Sequence, residues 1–266
     1  MMIAKLINSF LFVFDIKLVR NSQNSSAADL LQRYRKEICI LEMTRDPEIR
    51  AVLFNLLDKS QSQTAQDLMA LLQNNFKLGG FFVEIGSTDG VGISNTLILE
   101  REFSWTGILC EPGSFWIKAL KKNRPNSTIV TKCCWSVSGK FLEFLESNEK
   151  ELSTIAQFST SDSYRKIRKQ GHKYMVETVS LEDLLKENNA PATIDFLSVD
   201  TEGSEFFILK DFPFDKYRFR FAVVEHNFGP HRLDILEIFS AAGYSQVCEN
   251  VSAQDFWFVP KDNDLR

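Results

Sequence analysis

The run FFVEIGSTDGVG, residues Phe81–Gly92, sets the architecture of this chain. A block of apolar β-formers ends in an acid, Glu84. Gly86 follows two residues later, then Asp89, Gly90 and Gly92. This is the pattern of a buried parallel strand that feeds a glycine turn and then a helix. Glycine lacks a Cβ, so such a turn brings backbone close to a ligand. The pattern therefore predicts a nucleoside-type cofactor at the carboxyl edge of an open α/β sheet.

Working outward, strands and helices alternate. Strands are expected at Phe81–Ile85, Gly107–Cys110, Ser127–Cys133, Ile194–Val199 and Phe219–Val224. Helices are expected at Ile93–Arg101, Ser114–Asn123, Leu181–Glu187 (capped by Ser180, with Asp183 in the capping-box position), Ser204–Leu209 and His231–Ala242. Lys140–Glu146 and His172–Val179 read as further β runs around the polar stretch Ser147–Lys169, a loop with some helix. Tyr244–Val251 and Phe256–Val259 read as a closing antiparallel hairpin. The expected fold is α/β, with a seven-stranded, mostly parallel sheet whose last strand is antiparallel. Six parallel strands would instead suit a dinucleotide-binding fold.

The preceding residues read as helical, at Asp29–Met43, Asp46–Leu57 with Pro47 at its start, and Ala65–Phe76 closed by Gly79 and Gly80. We expect an N-terminal helical extension over residues 1–78 and a sheet domain over 79–266. Asn21–Ala28 is a polar break. Residues 1–19 are too interrupted by Lys5, Asp15 and Lys17 to span a bilayer, and they lack a small-residue cleavage site. They read as a packing or oligomerising segment, with weak interfacial membrane contact as the alternative.

Composition narrows the function. The 266 residues are 44% apolar and 25% charged, which suits a soluble globule. A net charge of −4 without long blocks argues against a nucleic-acid partner. Five cysteines without a C-x-x-C, and three histidines, read as buried thiols in a reducing, cytoplasmic setting and not as disulfides or zinc ligands.

Four strand ends carry the candidate chemistry. The turn Glu84, Gly86, Asp89, Gly90 spells E-x-G-x-x-x-G, not the phosphate-cradling G-x-G-x-x-G. An acid there suits a ligand with a charged amine and no phosphate, as in S-adenosylmethionine. Glu111, followed by Pro112, lies 25 residues past Gly86, and its carboxylate can accept both hydroxyls of a ribose. Asp200, Glu202 and Glu205 cluster after IDFLSV, where like charges raise one another's pKa. They can hold the cofactor near its methyl group, serve as base, or ligate a cation. Glu205 reads as a helix first-turn acid. His226, in Glu225-His226-Asn227, is a candidate proton acceptor, against a purely structural role. Trp135 lines an adenine pocket or sits in the core. Tyr164, Arg165 and Arg168 read as a solvated helix face, with substrate contact as the alternative. No metal is expected as a primary feature.

These stretches together resemble the FkbM-type methyltransferase family, a Rossmann-like S-adenosylmethionine-dependent group. The resemblance spans about Gly79–Pro260. It rests on FFVEIGSTDGVGISNT, GILCEPGSFWIKALKKNRPN, VETVSLEDLL, IDFLSVDTEGSEFFIL and VVEHN. Ser87 and Thr88 stand where many members have alanine-asparagine or asparagine in the first turn. The resemblance implies O-methylation of a sugar, glycan or small metabolite. It places Glu84, Gly86 and Gly90 on the methionine part, Glu111 on the ribose, and Asp200 and Glu202 beside the methyl and acceptor. A base such as Glu202 or His226 would take the hydroxyl proton. Two rivals remain, an NAD-dependent oxidoreductase or epimerase and a non-catalytic scaffold that binds the cofactor. A homo-oligomer is compatible with the sequence.

Overall fold

The computed structural model describes residues 27–160 and 163–262. The chain divides into two compact units, Met1–Tyr34 and Arg35–Arg266. The described part of the first is the opening of helix α1 (Ala27–Met43). The expectations for residues 1–19 and for most of the break at 21–28 lie outside the described residues.

Strand β1 (Phe81–Ile85) is central to the second unit. It pairs in parallel with β2 (Thr106–Cys110) on one side and β9 (Phe196–Val199) on the other. β3 (Thr128–Val130) extends the sheet beyond β2, and β11 (Ala222–Glu225) extends it beyond β9. β13 (Asp255–Pro260) then runs antiparallel between β11 and β12 (Tyr244–Val247). The sheet is thus seven-stranded with one reversed strand, as the closing hairpin predicted, while the short strands β8 (Thr193–Ile194) and β10 (Arg218–Phe219) pair apart from it.

Both faces of the sheet are covered, so its strands are apolar on both sides. Val83, Ile108, Leu197 and Val224 pack with α6 (Leu181–Glu187), α7 (Glu205–Leu209) and α8 (Arg232–Ala241). Phe82, Leu109, Phe196 and Val223 face the opposite way. They meet Cys39 and Ile40 of α1, Leu53 of α2 (Pro47–Leu56), Leu68 of α3 (Gln66–Gln73), Leu99 of α4 (Leu97–Phe103) and Leu120 of α5 (Ile117–Asn123). Among the described residues no helix is long and apolar enough to cross a membrane. All five cysteines are unpaired.

Three expected elements change shape. The third strand splits into β3 and β4 (Cys133–Trp135), and β4 leaves the main sheet to pair with β7 (His172–Ser180). β7 also pairs with β5 (Phe141–Glu146), and β5 with β6 (Thr154–Ile155), in a second, four-stranded sheet. The helix expected from Ile93 starts only at Leu97, because Ile93 adopts φ +52° and residues 94–96 turn inward toward Glu84. The last hairpin is shorter, since Cys248 reverses the chain at φ +55°. The cap at Ser180 forms as expected, its hydroxyl accepting from Asp183 N at 3.1 Å.

Candidate active site

The register of the parallel strands builds the site. Ile85 is level with Cys110 of β2 and with Val199 of β9. The next residue on each strand, Gly86, Glu111 and Asp200, therefore emerges at the same carboxyl edge. Backbone bonds fix them there: Gly86 N donates to Cys110 O at 2.9 Å, and Asp200 N to Ile85 O at 3.0 Å. Gly86 has φ +87°, and a Cβ on it would stand 1.7 Å from the Asp200 carbonyl oxygen. Only glycine fits between these two strand ends.

A cavity opens at this edge, with an empty volume of about 900 Å³ that includes its open mouth. Gly86, Glu111, Pro112, Asp200, Glu202 and Glu225 line it, with Ile93, Trp116, Cys133 and Phe144 as its apolar wall. Glu111 accepts from Thr88 N at 2.9 Å and Gly113 N at 2.7 Å, one bond on each oxygen. Burial nonetheless pushes its pKa up to about 7. Asp200 rises to about 6, chiefly by burial. A hydrogen bond with Glu225 opposes the rise, and the charges of Glu205 and Glu84 add to it. Glu225 is raised well above the ordinary carboxylate range by burial and by Asp200, Glu202, Glu205 and Asp255. Glu202 stands apart. Its Oε2 accepts from Arg168 Nη2 at 2.8 Å, and Arg168 is only 1% exposed. Arg168 Nε also donates to Leu152 O.

A second cavity adjoins the first. Phe158, Phe206, His226, His231 and Arg232 line it, and the Phe206 and His231 rings stack at 4.4 Å. Glu202 and Asn227 line both cavities.

Residues 84–245 match the model of the methyltransferase FkbM domain. The chain belongs to the FkbM methyltransferase family. Its members depend on S-adenosylmethionine, so this chain is a methyltransferase with that cofactor. Methyltransferase FkbM from Methylobacillus flagellatus KT, a crystal structure, is similar to it over 96% of this chain and 69% of that one. The identity is 11% and the TM-score 0.39. A TehB-like SAM-dependent methyltransferase from Corynebacterium glutamicum ATCC 13032 Kitasato is similar over 80% of this chain and 97% of that one, at 11% identity and TM-score 0.37. No curated protein matches the chain.

The donors present fit the cofactor of an FkbM methyltransferase. Each Glu111 oxygen keeps acceptor capacity beyond its one backbone bond, as a ribose diol requires. Asp200 supplies an acid at the opposite side of the strand-one turn, and the Trp116 wall suits a flat base.

Several residues singled out from the sequence lie elsewhere. Glu84 does not face the cavity. Ser94, Asn95 N and Thr96 donate to its carboxylate, with Arg124 at 4.0 Å. This buried acid holds the approach to α4, and burial raises its pKa. The Asp89 Oδ1 accepts from Val91 N and Gly92 N, both at 2.8 Å, and so closes its own turn. Gly90 sits against Leu120 and Arg124. Trp135 stacks on Phe207 at 4.9 Å and does not line the cavity; Trp116 does. His226 opens onto the second cavity, where burial and then Arg232 lower its pKa to about 4. Its Nδ1 accepts from Phe228 N at 3.1 Å. Arg165 is exposed, but Arg168 is not the solvated residue expected. Glu205 is the helix first-turn acid expected, accepting from Thr201 N and Gly203 N.

Trp116 and Gln63 were not legible as site residues, and Arg168 was read only as a solvated face or a substrate contact, not as the partner of Glu202. Gln63 reaches the first cavity from the loop before α3. A basic residue in a polar stretch and a tryptophan after a proline carry no spacing signal.

Proposed function

We propose that the chain methylates a hydroxyl group on a sugar, glycan or small metabolite. The observation that carries this reading is the shared wall: Glu202 and Asn227 border both the Glu111 cavity and the aromatic cavity beside it. Two ligands seated in these cavities meet at the acids between them. S-adenosylmethionine, when bound, supplies an already activated methyl group, so the protein's main task is alignment. Holding two reactants in line is worth up to roughly 7–11 kcal/mol of the barrier.

The chain's own residues then divide the work. Glu111 accepts the two ribose hydroxyls. The faces of Phe158, Phe206 and His231 receive the apolar side of the acceptor ring. Arg168 pairs with Glu202 and fixes its direction. Asp200, with a pKa near 6, is charged at neutral pH and takes the proton of the acceptor hydroxyl on its carboxylate. A positioned base contributes roughly 10²–10⁴ in rate. His226 is neutral at pH 7 and shapes the acceptor cavity.

The test is labelled-methyl transfer from S-adenosylmethionine to a panel of glycans and hydroxylated metabolites, analysed by mass spectrometry. Product gaining one methyl on oxygen is expected, with Asp200→Asn lowering kcat far more than cofactor affinity. Methyl found only on nitrogen or carbon would defeat the reading.

A further inference from the structure

Three carboxylates meet where the two cavities join. Asp200 follows β9, Glu225 ends β11, and Glu202 sits in the turn after Asp200. One oxygen of each lies within 4.8 Å of the others. Among the described residues, the cation that pairs with this group is Arg168, and it pairs with Glu202. Glu225 is 5% exposed, yet it lines the cavity and its Oε2 has no hydrogen-bond partner. Glu205 and Asp255, which add further negative charge nearby, are already bonded: Glu205 to backbone N–H groups and Asp255 to Gln66 Nε2 at 2.8 Å.

Glu225 thus brings a buried carboxylate, one oxygen of which has no partner, within reach of two other carboxylates, and such a group asks for a cation. We propose that Asp200, Glu202 and Glu225 hold one oxygen-preferring divalent cation, with Glu202 shared between it and Arg168. The donors are all hard oxygens, the set that Mg²⁺, Mn²⁺ and Ca²⁺ prefer. The span fits as well. Two oxygens on opposite sides of a cation lie about 4.2 Å apart for Mg²⁺ and up to about 5 Å for Ca²⁺. The sequence offered Asp200 and Glu202 as cation ligands among other roles, but not Glu225, whose neighbour His226 carried the more obvious chemistry.

The cation's open positions face the cavity, where they would draw in the acceptor oxygen beside Asp200. That role rests on the methyl-transfer reading above; the binding site itself does not.

The experiment uses the full chain, stripped with EDTA and titrated with Mn²⁺ while free Mn²⁺ is counted by electron paramagnetic resonance. One Mn²⁺ per chain is expected, displaced by excess Mg²⁺ or Ca²⁺. Glu225→Gln and Asp200→Asn should each weaken Mn²⁺ binding at least tenfold, with circular dichroism showing that the variants fold. The site is overturned if the parent chain shows no saturable Mn²⁺ binding, or if a folded variant binds Mn²⁺ as tightly as the parent. Methyl transfer at full rate in EDTA would overturn the acceptor role and leave the methyltransferase reading intact. Saturable Mn²⁺ uptake that the two variants lose supports the site even if no acceptor is ever methylated.

Discussion

Gly86 shows how tightly single residues constrain this site. Its φ of +87° and its approach to the Asp200 carbonyl leave no space for a methyl group. Gly86→Ala should therefore cost about 2 kcal/mol or more, read as a lower midpoint in urea unfolding. The two tryptophans near the site make a sharper pair of tests. Trp116→Ala should weaken S-adenosylmethionine binding by roughly tenfold with the fold unchanged, because Trp116 lines the cavity. Trp135→Ala should leave that affinity within about threefold and lower stability by roughly 3 kcal/mol, since Trp135 stacks on Phe207. Calorimetric titration and thermal melts separate the two. Sequence spacing located Glu111 and Asp200 because both follow apolar strands directly. It misplaced Glu84 and Trp135 because position on a strand does not say whether a side chain meets the cavity or the next helix. Glu84 turns to the buried hydroxyls of Ser94 and Thr96, and nothing in FFVEIG distinguishes that direction.

The elements divide along similar lines. β1, β2, β9 and β11 were legible because strands buried on both faces read as continuous apolar runs. The break between β3 and β4 was not, because Thr131 and Lys132 carry no glycine or proline to mark it. β5 and β7 were legible as β runs, but their joining in a second sheet was not, since the pairing is long-range: Phe141 lies opposite Glu177. Its link to the acid turn is specific. Thr154 on β6 donates its hydroxyl to Glu202 O at 2.9 Å, and Arg168 ties Leu152 O to the Glu202 carboxylate. Arg168→Ala leaves a mostly buried carboxylate without its guanidinium. The expected cost is about 3 kcal/mol or more in denaturant unfolding, together with a loss of kcat, because Glu202 loses its fixed direction. Arg168→Lys restores charge without the planar fork and should recover only part of both.

At the scale of the whole molecule, pH is the informative variable. Glu111 and Asp255 are each raised to about 7, both mainly by burial. In the unfolded chain these groups titrate near 4. Between about pH 4 and 7 the folded state thus holds more protons than the unfolded one, and stability must fall as pH rises through that window. For cation-free protein, the contribution is fully present below about pH 4 and lost above about pH 7. Thermal melts in EDTA across this range check the sign, and Glu111→Gln should flatten the slope. Cofactor affinity should move the opposite way. Protonating Glu111 removes acceptors for the ribose hydroxyls, so binding weakens as pH drops below 7.

The placement of the four-stranded sheet has an evolutionary consequence. It is spliced into the chain as one continuous run between the half that carries Glu111 and the strand that leads to Asp200. Descendants can therefore exchange this run wholesale and acquire new acceptors while the half that carries Glu111 stays untouched. Whatever replaces it must still offer anchors equivalent to Leu152, Thr154 and Arg168, or Glu202 drifts and the new acceptor finds no partner in register.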